Sequence, residues 1–501
     1  MANSKSIFEE TTIVRKMNDR TDVVEALLNG TFAITQGTNK SGSNRRLKSM
    51  ADYILKEQNE QKSTYVNRLY RTYITPYLAN AIDSATGQLF KTPPNIQENK
   101  PLDPRLSDYL NYDIDFSGSD ITEFSIEAQK KAIAFGMCLA VGYFYNPNGG
   151  GSLGEQVQGG ARPYVKLVSP RDLLGYTVDA NGKITMVRFL EDALIDDEIM
   201  GSNIVKRVRR ITPTEWEVYE TDDNGKDQVV ESGEINRRDP YTGQRITDRV
   251  PCEVLYGRKI GVLNAASVFE DLAWINVHHT QVNSDLTWSS HFSLIPFLAA
   301  YLSNEVRPEE FSVSTMSSQI NVSLPKDSKI EWVETGGKPQ EMGAKKLADI
   351  EEKIQISTMS SNVGVTGSKE TATGRAIDAN SQSAKLRSHS EALESWITRV
   401  IDLLGSFIFD VNEIDISVSA NKEFDVLINA DEIKLIQEDF SKGRIDRATY
   451  FTEMQRRGIY KETVTLGDID KGMAEDKVAA PDNNPTDSIA EENTDPFTED
   501  E

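Results

Sequence analysis

The chain has 501 residues, 38% of them hydrophobic, and a formal net charge of −23 at pH 7. No stretch approaches the ~20 consecutive apolar residues of a membrane-spanning helix, and Met1 to Ser6 lead into no apolar signal core. This acidic balance excludes a protein that grips DNA through a broadly basic surface; it leaves one that meets DNA without gripping it, or one that never meets it.

Taken in chain order, residues 1 to 60 are polar, with helical pieces and Ser/Asn/Gly punctuation at Gly37 to Asn44. A Tyr-rich helix is predicted from Thr64 to Phe90, interrupted near Pro76 and stopped by Pro93 and Pro94. A second is predicted from an N-cap at Ser119 or Asp120 into the apolar run Met137 to Tyr145. Asn146 to Gly160 is a Gly-rich loop without the Gly-x-x-x-x-Gly-Lys-Ser/Thr spacing of a phosphate cradle, which favours a flexible hairpin loop.

From Arg162 to Gly257 the apolar period changes to two. Asp/Asn/Gly turns at Asp179 to Gly182 and Asp222 to Gly225 mark an antiparallel β-rich module. Its basic strand, Lys206 to Arg210, faces abundant acids such as Glu191 and Asp192. Cross-strand pairing accounts for it better than nucleic-acid binding.

Helix period returns from Val262 to Trp288, then short strands are expected between 300 and 342. Leu347, Ile350 and Ile354 mark a helix from Lys345 to Thr358. A polar, Gly-containing segment follows, and then a longer helix in which Leu386, Leu393, Ile397, Val400 and Leu404 share a face. Ile414 to Ile428 is strand-like, and two short helices follow, one capped by Asp431 and ending at Gly443, the other running from Asp446 to Gly458. Ala474 to Glu501 carries ten acidic residues against Lys477, a composition that cannot bury enough apolar surface to order itself. The body remains acidic without this tail.

The residues of catalysis do not converge. His278 and His279 are neighbours, about 100° apart on a helix, and cannot share a metal as an i, i+4 pair would. His-Glu-x-x-His, Cys-x-x-Cys and Gly-x-Ser-x-Gly are all missing, and Gly364 to Lys369 fails the phosphate-loop spacing. Cys138 and Cys252 lie among apolar residues and are expected to be reduced core thiols. The sequence therefore assigns no catalytic residue, no metal and no cofactor.

Two motifs carry a resemblance. The first is a short helix, a Gly/Ser/Thr loop and a long helix across residues 343 to 410; the second is Leu272, Ala273, Asn276 and His279 followed by Ser284, Asp285, His291 and Pro296. Together with Arg162 to Leu174 and the paired helices around Gly443, these resemble the portal proteins of tailed bacteriophages, over about residues 60 to 465. Leu174-Gly175-Tyr176 departs from the Asn-Trp pair of many such proteins.

The resemblance implies an α+β subunit with a β-rich wing, a helical stem, a small α/β clip, a long kinked helix with a tunnel loop, and a helical crown. The corresponding boundaries are an N-terminal and wing region at 1–260 (β-rich over 162–257), a first stem helix at 261–299, a clip at 300–342 and a second stem helix at 343–359. A tunnel loop at 360–371, a long wing helix at 372–411, a crown at 412–470 and a disordered acidic tail at 471–501 complete it. Ser361, Asn362, Val363, Gly364, Thr366, Gly367, Ser368 and Lys369 would form the channel-facing loop, while Asn276, His279, Ser284 and Asp285 would be structural.

Also implied are a twelve-membered homo-oligomeric ring at one capsid vertex, assembled in the host cytoplasm, and passage of double-stranded DNA during packaging and ejection. The terminase large subunit, major capsid and scaffolding proteins and neck/adaptor proteins would be its partners. Ring assembly is expected to rest on the apolar stripes of the stem and long helix, Leu393 and Ile397 among them. Two other readings stay open: a cytosolic nucleotide-using enzyme, suggested by the Gly-rich loops, and another virion scaffold such as a neck or capsid protein.

Overall fold

The computed structural model describes residues 6–35, 48–146, 160–197, 201–222, 225–294, 297–301, 312–316, 319–323, 329–333, 337–357, 372–408, 414–422, 424, 430–456 and 467. The expected tunnel loop, with Ser361 to Lys369, and the acidic tail lie outside these residues, as does most of the Gly-rich loop after Asn146. The fold is α+β and divides into two units, 1–424 and 425–501.

The first unit opens with α1 (Thr12–Leu28), α2 (Gly30–Thr35), α3 (Lys62–Arg71) and α4 (Tyr77–Leu89). The predicted interruption at Pro76 separates α3 from α4, because proline has no amide hydrogen to continue the ladder. After β1 (Asn95–Glu98) and α5 (Pro104–Tyr112) comes α6 (Ile121–Phe135), N-capped by the Asp120 carboxylate, which accepts from the Glu123 amide at 2.7 Å.

Here the structure corrects the sequence reading. The helix does not run on to Tyr145. Gly136 turns left-handed (φ +89°), and Met137–Tyr145 is a strand, β2, most of it buried. Only glycine takes that φ without strain, and a Cβ there would overlap the Ala266 backbone.

β2 is the centre of an antiparallel sheet with β3 (Arg162–Val168) and β9 (Cys252–Tyr256). Between β3 and β9, five strands form a meander: β4 (Leu173–Val178), β5 (Ile184–Asp197), β6 (Gly201–Ile211), β7 (Glu215–Thr221) and β8 (Asp227–Glu234). The basic strand β6 pairs as expected: Arg209 with Glu191, Arg207 with Glu220 and Glu231, and Arg210 with Glu217. Cys138 and Cys252 are buried free thiols, each pushed up to about 12 by burial.

A short hairpin, β10 (Lys259–Gly261) with β11 (Asn264–Ala265), leads into α7 (Glu270–Ser293), which is shorter at both ends than the 261–299 expected. β12 (Phe297–Tyr301) follows and pairs with β15 (Lys329–Val333), while β13 (Ser312–Met316) pairs with β14 (Gln319–Ser323). The next helix, α8 (Lys338–Ser357), begins five residues before the boundary expected at 343, with Pro339 in its first turn, where a missing amide hydrogen costs nothing.

α9 (Ala372–Gly405) ends the helical part of this unit. Its Leu393, Trp396, Ile397, Val400, Ile401 and Leu404 are fully buried against α5, α6 and β2, and Trp396 stacks on Phe124 at 6.0 Å. The long-helix stripe expected to build a ring is thus the subunit's own core. β16 (Ile416–Ser419) pairs antiparallel with β1, so this part of the segment expected in the crown belongs to the first unit.

The second unit contains α10 (Ala430–Ser441) and α11 (Arg447–Arg456), joined through Gly443 at φ +67°. Asp446 caps α11, accepting from the Thr449 amide at 3.2 Å, and Phe440 stacks on Tyr450 at 4.3 Å.

Candidate functional site

α7 and α8 lie antiparallel. Glu351 sits level with His279, Gly343 with Leu286, and Gln340 with Ser289. A Cβ on Gly343 would stand 2.9 Å from Leu286 Cδ1, so glycine permits the close approach. β12 and β15 continue this pairing without a change of register, Phe297 opposite Val333 and Tyr301 opposite Lys329. The described residues between 270 and 357 therefore pair twice in hairpin order, α7 with α8 and then β12 with β15.

The motif residues of α7 tie this hairpin to the body. Asn276 Oδ1 accepts from the Leu78 amide at 3.2 Å, and Nδ2 donates to Thr75 O at 3.2 Å, which fixes the start of α4. One turn on, His279 is buried. Its Nε2 donates to Glu351 Oε1 at 3.3 Å, and its ring meets Tyr77 edge-on at 5.1 Å. Tyr77 Oη donates to the same oxygen at 3.1 Å; burial first, then that bond, pushes its phenol up to about 12. A carboxylate only accepts, so the proton lies on His279 Nε2; Nδ1 is enclosed with no partner among the described residues.

Ser284 shares a 2.8 Å hydrogen bond with Thr72 at the end of α3. Asp285 stands beside Arg68, whose guanidinium binds Glu60 at 3.0 and 2.9 Å and the Leu55 carbonyl at 2.7 Å, and reaches Asp285 at 3.5 Å. Burial, opposed by Arg68 and Lys346 and reinforced by Glu57 and Glu60, raises the Asp285 carboxyl above the usual range. Hydrogen bonding to Arg68 holds Glu60 below it. Glu57, Glu60, Arg68, Asp285, Trp288 and Ser289 line a recess of about 470 Å³.

The structure thus brings Asn276, His279, Ser284 and Asp285 onto one polar seam, as joints between helices. Their partners Arg68, Thr72, Tyr77 and Glu351 were not singled out from sequence. They are distant in the chain and belong to no motif. His278, next to His279, is exposed. Among the described residues, no group of three or more His, Cys, Asp or Glu gathers to hold a metal. No helix is long and apolar enough to cross a membrane among the described residues.

Comparison with known proteins gives two kinds of match. A family model described as a domain of unknown function, DUF4055, matches residues 268–408, from the start of the hairpin to the end of α9. Among solved structures, the chain is similar to a component of the neck of an empty gene transfer agent particle computed with C6 symmetry: 12% identity, 75% of this chain and 88% of that one covered, TM-score 0.36. It is also similar to a chain in the virion of a native gene transfer agent particle: 11% identity, 80% and 93% covered, TM-score 0.35. No curated protein matches the chain.

Proposed function

We propose that this chain is a portal-type virion subunit: copies form a ring at one capsid vertex, and double-stranded DNA passes through the ring during packaging and ejection. The observation that carries the proposal is the nested pairing of α7 with α8 and of β12 with β15 in hairpin order, with the long helix α9 later in the chain. In this reading a terminase motor and later neck proteins would dock on the stranded segment between α7 and α8. The net charge of −23 supports a conduit, since strong phosphate contacts would stall moving DNA.

In this reading Ser361 to Lys369 would belong to the channel-facing loop, and Lys369 would bring one cation per subunit, its contacts with phosphate screened by salt. The ring does no chemistry of its own; the Gly364 to Lys369 run lacks the phosphate-loop spacing that nucleotide hydrolysis needs.

Electron microscopy of the purified protein tests the proposal: rings with a central hole are expected, and uniform monomers would overturn it. In assembled particles, Lys369→Glu should leave rings intact and lower the DNA packaged or retained. ATP turnover that survives removal of motor protein and is lost on mutating Lys369 would favour the nucleotide-using enzyme instead.

A further inference from the structure

Between β8 and β9 the chain makes a small flap. Residues 237–246 pair on themselves: Ile246 N donates to Arg237 O at 3.0 Å, Asp239 N donates to Gln244 O at 2.9 Å, and Arg238 bridges to Arg245. The Asp239 carboxylate accepts from the Tyr241 and Thr242 amides at 2.9 and 3.1 Å, and Gly243 turns the chain at φ +66°. Within the flap only Arg237 and Ile246 are buried.

Two hydrogen bonds fasten this flap to the end of α9. Arg238 N donates to Ser406 O at 2.8 Å, where a helix leaves carbonyls without partners of its own. Tyr241 Oη donates to Asp402 Oδ1 at 3.0 Å. A segment with few buried side chains and few anchors belongs to the part of a fold that opens first.

Closure also keeps charge out of water. The Arg237 guanidinium is buried, donates to the Arg249 carbonyl and lies 5.9 Å from the Phe407 ring centre; its Nε has no partner among the described residues. Burial and then Arg249 lower it to about 10, against Cys252, Glu253 and Asp248. Asp402 is half-buried, and burial raises its carboxyl, reinforced by Asp239 and opposed by the Tyr241 bond and by Arg249. Glu253 on β9 binds Arg399, one turn before Asp402, at 2.9 Å. It too is raised, by burial first and then Asp402, against Arg399 and Arg249. All three groups are pushed towards their neutral forms, so their charges oppose closure.

We infer that residues 237–246 are a latch that opens locally off the end of α9, with Tyr241 Oη and Asp402 as its catch, and that it opens more readily as pH rises. With the flap shut the Asp402 carboxyl is raised; with the flap lifted it returns to the ordinary range. That contribution to closure is fully present below the ordinary value and is lost as pH rises through the raised one. Arg237 is a cation throughout this range and opposes closure at every pH in it. Opening would uncover Ile246 and Phe407, both buried when the flap is shut. The latch lies within one subunit and stands apart from the ring reading.

Hydrogen–deuterium exchange of the purified full-length protein tests it. Flap peptides are compared with those of β2, and rates are corrected for the intrinsic pH dependence of amide exchange. Tyr241→Phe should speed flap exchange about threefold and leave β2 unchanged. Asp402→Asn keeps an oxygen for Tyr241 but carries no charge. It should slow flap exchange about threefold near neutrality, the difference vanishing in acid, where the parent carboxyl is protonated. If Asp402→Asn melts early, the parent serves instead, and its corrected flap exchange should rise from about pH 4 to 8. Flap amides as slow as those of β2, or indifferent to Tyr241→Phe, would overturn the latch. Faster exchange with Asp402→Asn near neutrality, or a flat parent profile, would overturn its pH dependence.

Discussion

The hydroxyls of Thr72 and Ser284 meet at 2.8 Å, both side chains buried, and so join the end of α3 to the middle of α7. Thr72 Oγ1 also donates to Arg68 O at 2.9 Å, which leaves it accepting from Ser284. Thr72→Val would strand the Ser284 hydroxyl in a buried site, at a cost of about 1–3 kcal/mol. Adding Ser284→Ala should recover most of that loss by removing the stranded donor. Urea denaturation of both variants checks this; a double mutant less stable than Thr72→Val alone would contradict it.

Leu393 and Ile397 separate a core role from a ring role. Both are fully buried within the subunit, so Leu393→Asp or Ile397→Asp places an unpaired charge in the core, where it costs several kcal/mol. The expected result is loss of the cooperative melting transition and insoluble protein. A well-folded monomer that merely fails to form rings would mean this face serves assembly after all.

Asp285 and Glu60, side by side around Arg68, should respond to pH in opposite directions. The Asp285 carboxyl is raised in the folded state, so its ionised form opposes folding, and that penalty fades as pH falls through the raised value. Because the Asp285 side chain is largely exposed, solvent screens this penalty, and Asp285→Asn should melt only slightly above the parent near neutrality, the gap closing on acidification. Glu60 is lowered by its bond to Arg68, so its stabilisation is present above the unfolded-state value and is lost as pH falls through the folded one. Glu60→Gln should melt lower than the parent near neutrality, and this gap should also close in acid. Melting temperatures from neutrality down to about pH 3 read both signs.

Gly136 is the hinge between α6 and β2. Gly136→Ala combines a left-handed backbone with overlap on the Ala266 backbone, and should cost well over the ~1 kcal/mol of an unhindered Gly-to-Ala change at positive φ. A scan showing an unchanged melting temperature would show that the turn can relax.

Local signals carried much of the fold. Pro76 broke the Tyr-rich helix, Asp120 capped α6, the turns at Gly182 and Gly225 spaced the meander, and the acids near Lys206 to Arg210 became its cross-strand partners. Each works over a few residues or across one turn, so each is readable in order along the chain. The candidate site was legible in half: Asn276, His279, Ser284 and Asp285 stood out as a helical pattern, but only folding supplied Arg68, Thr72, Tyr77 and Glu351.

Two misreadings share one physical cause. Met137 to Tyr145 and the α9 stripe are apolar runs, and an apolar run states that it will be buried without stating what buries it. For the first, Gly136 and pairing with β3 and β9 chose strand over helix. For the second, α5, α6 and β2 covered the stripe before any second copy could. Sequence alone therefore determined the class of the fold, its turns and caps, and its lack of a recognisable catalytic motif. The tertiary structure decided which apolar faces are spent inside the subunit and which apolar side chains, like Met342 and Ile356 on α8, remain exposed, because burial is set by partners that lie far away in the chain.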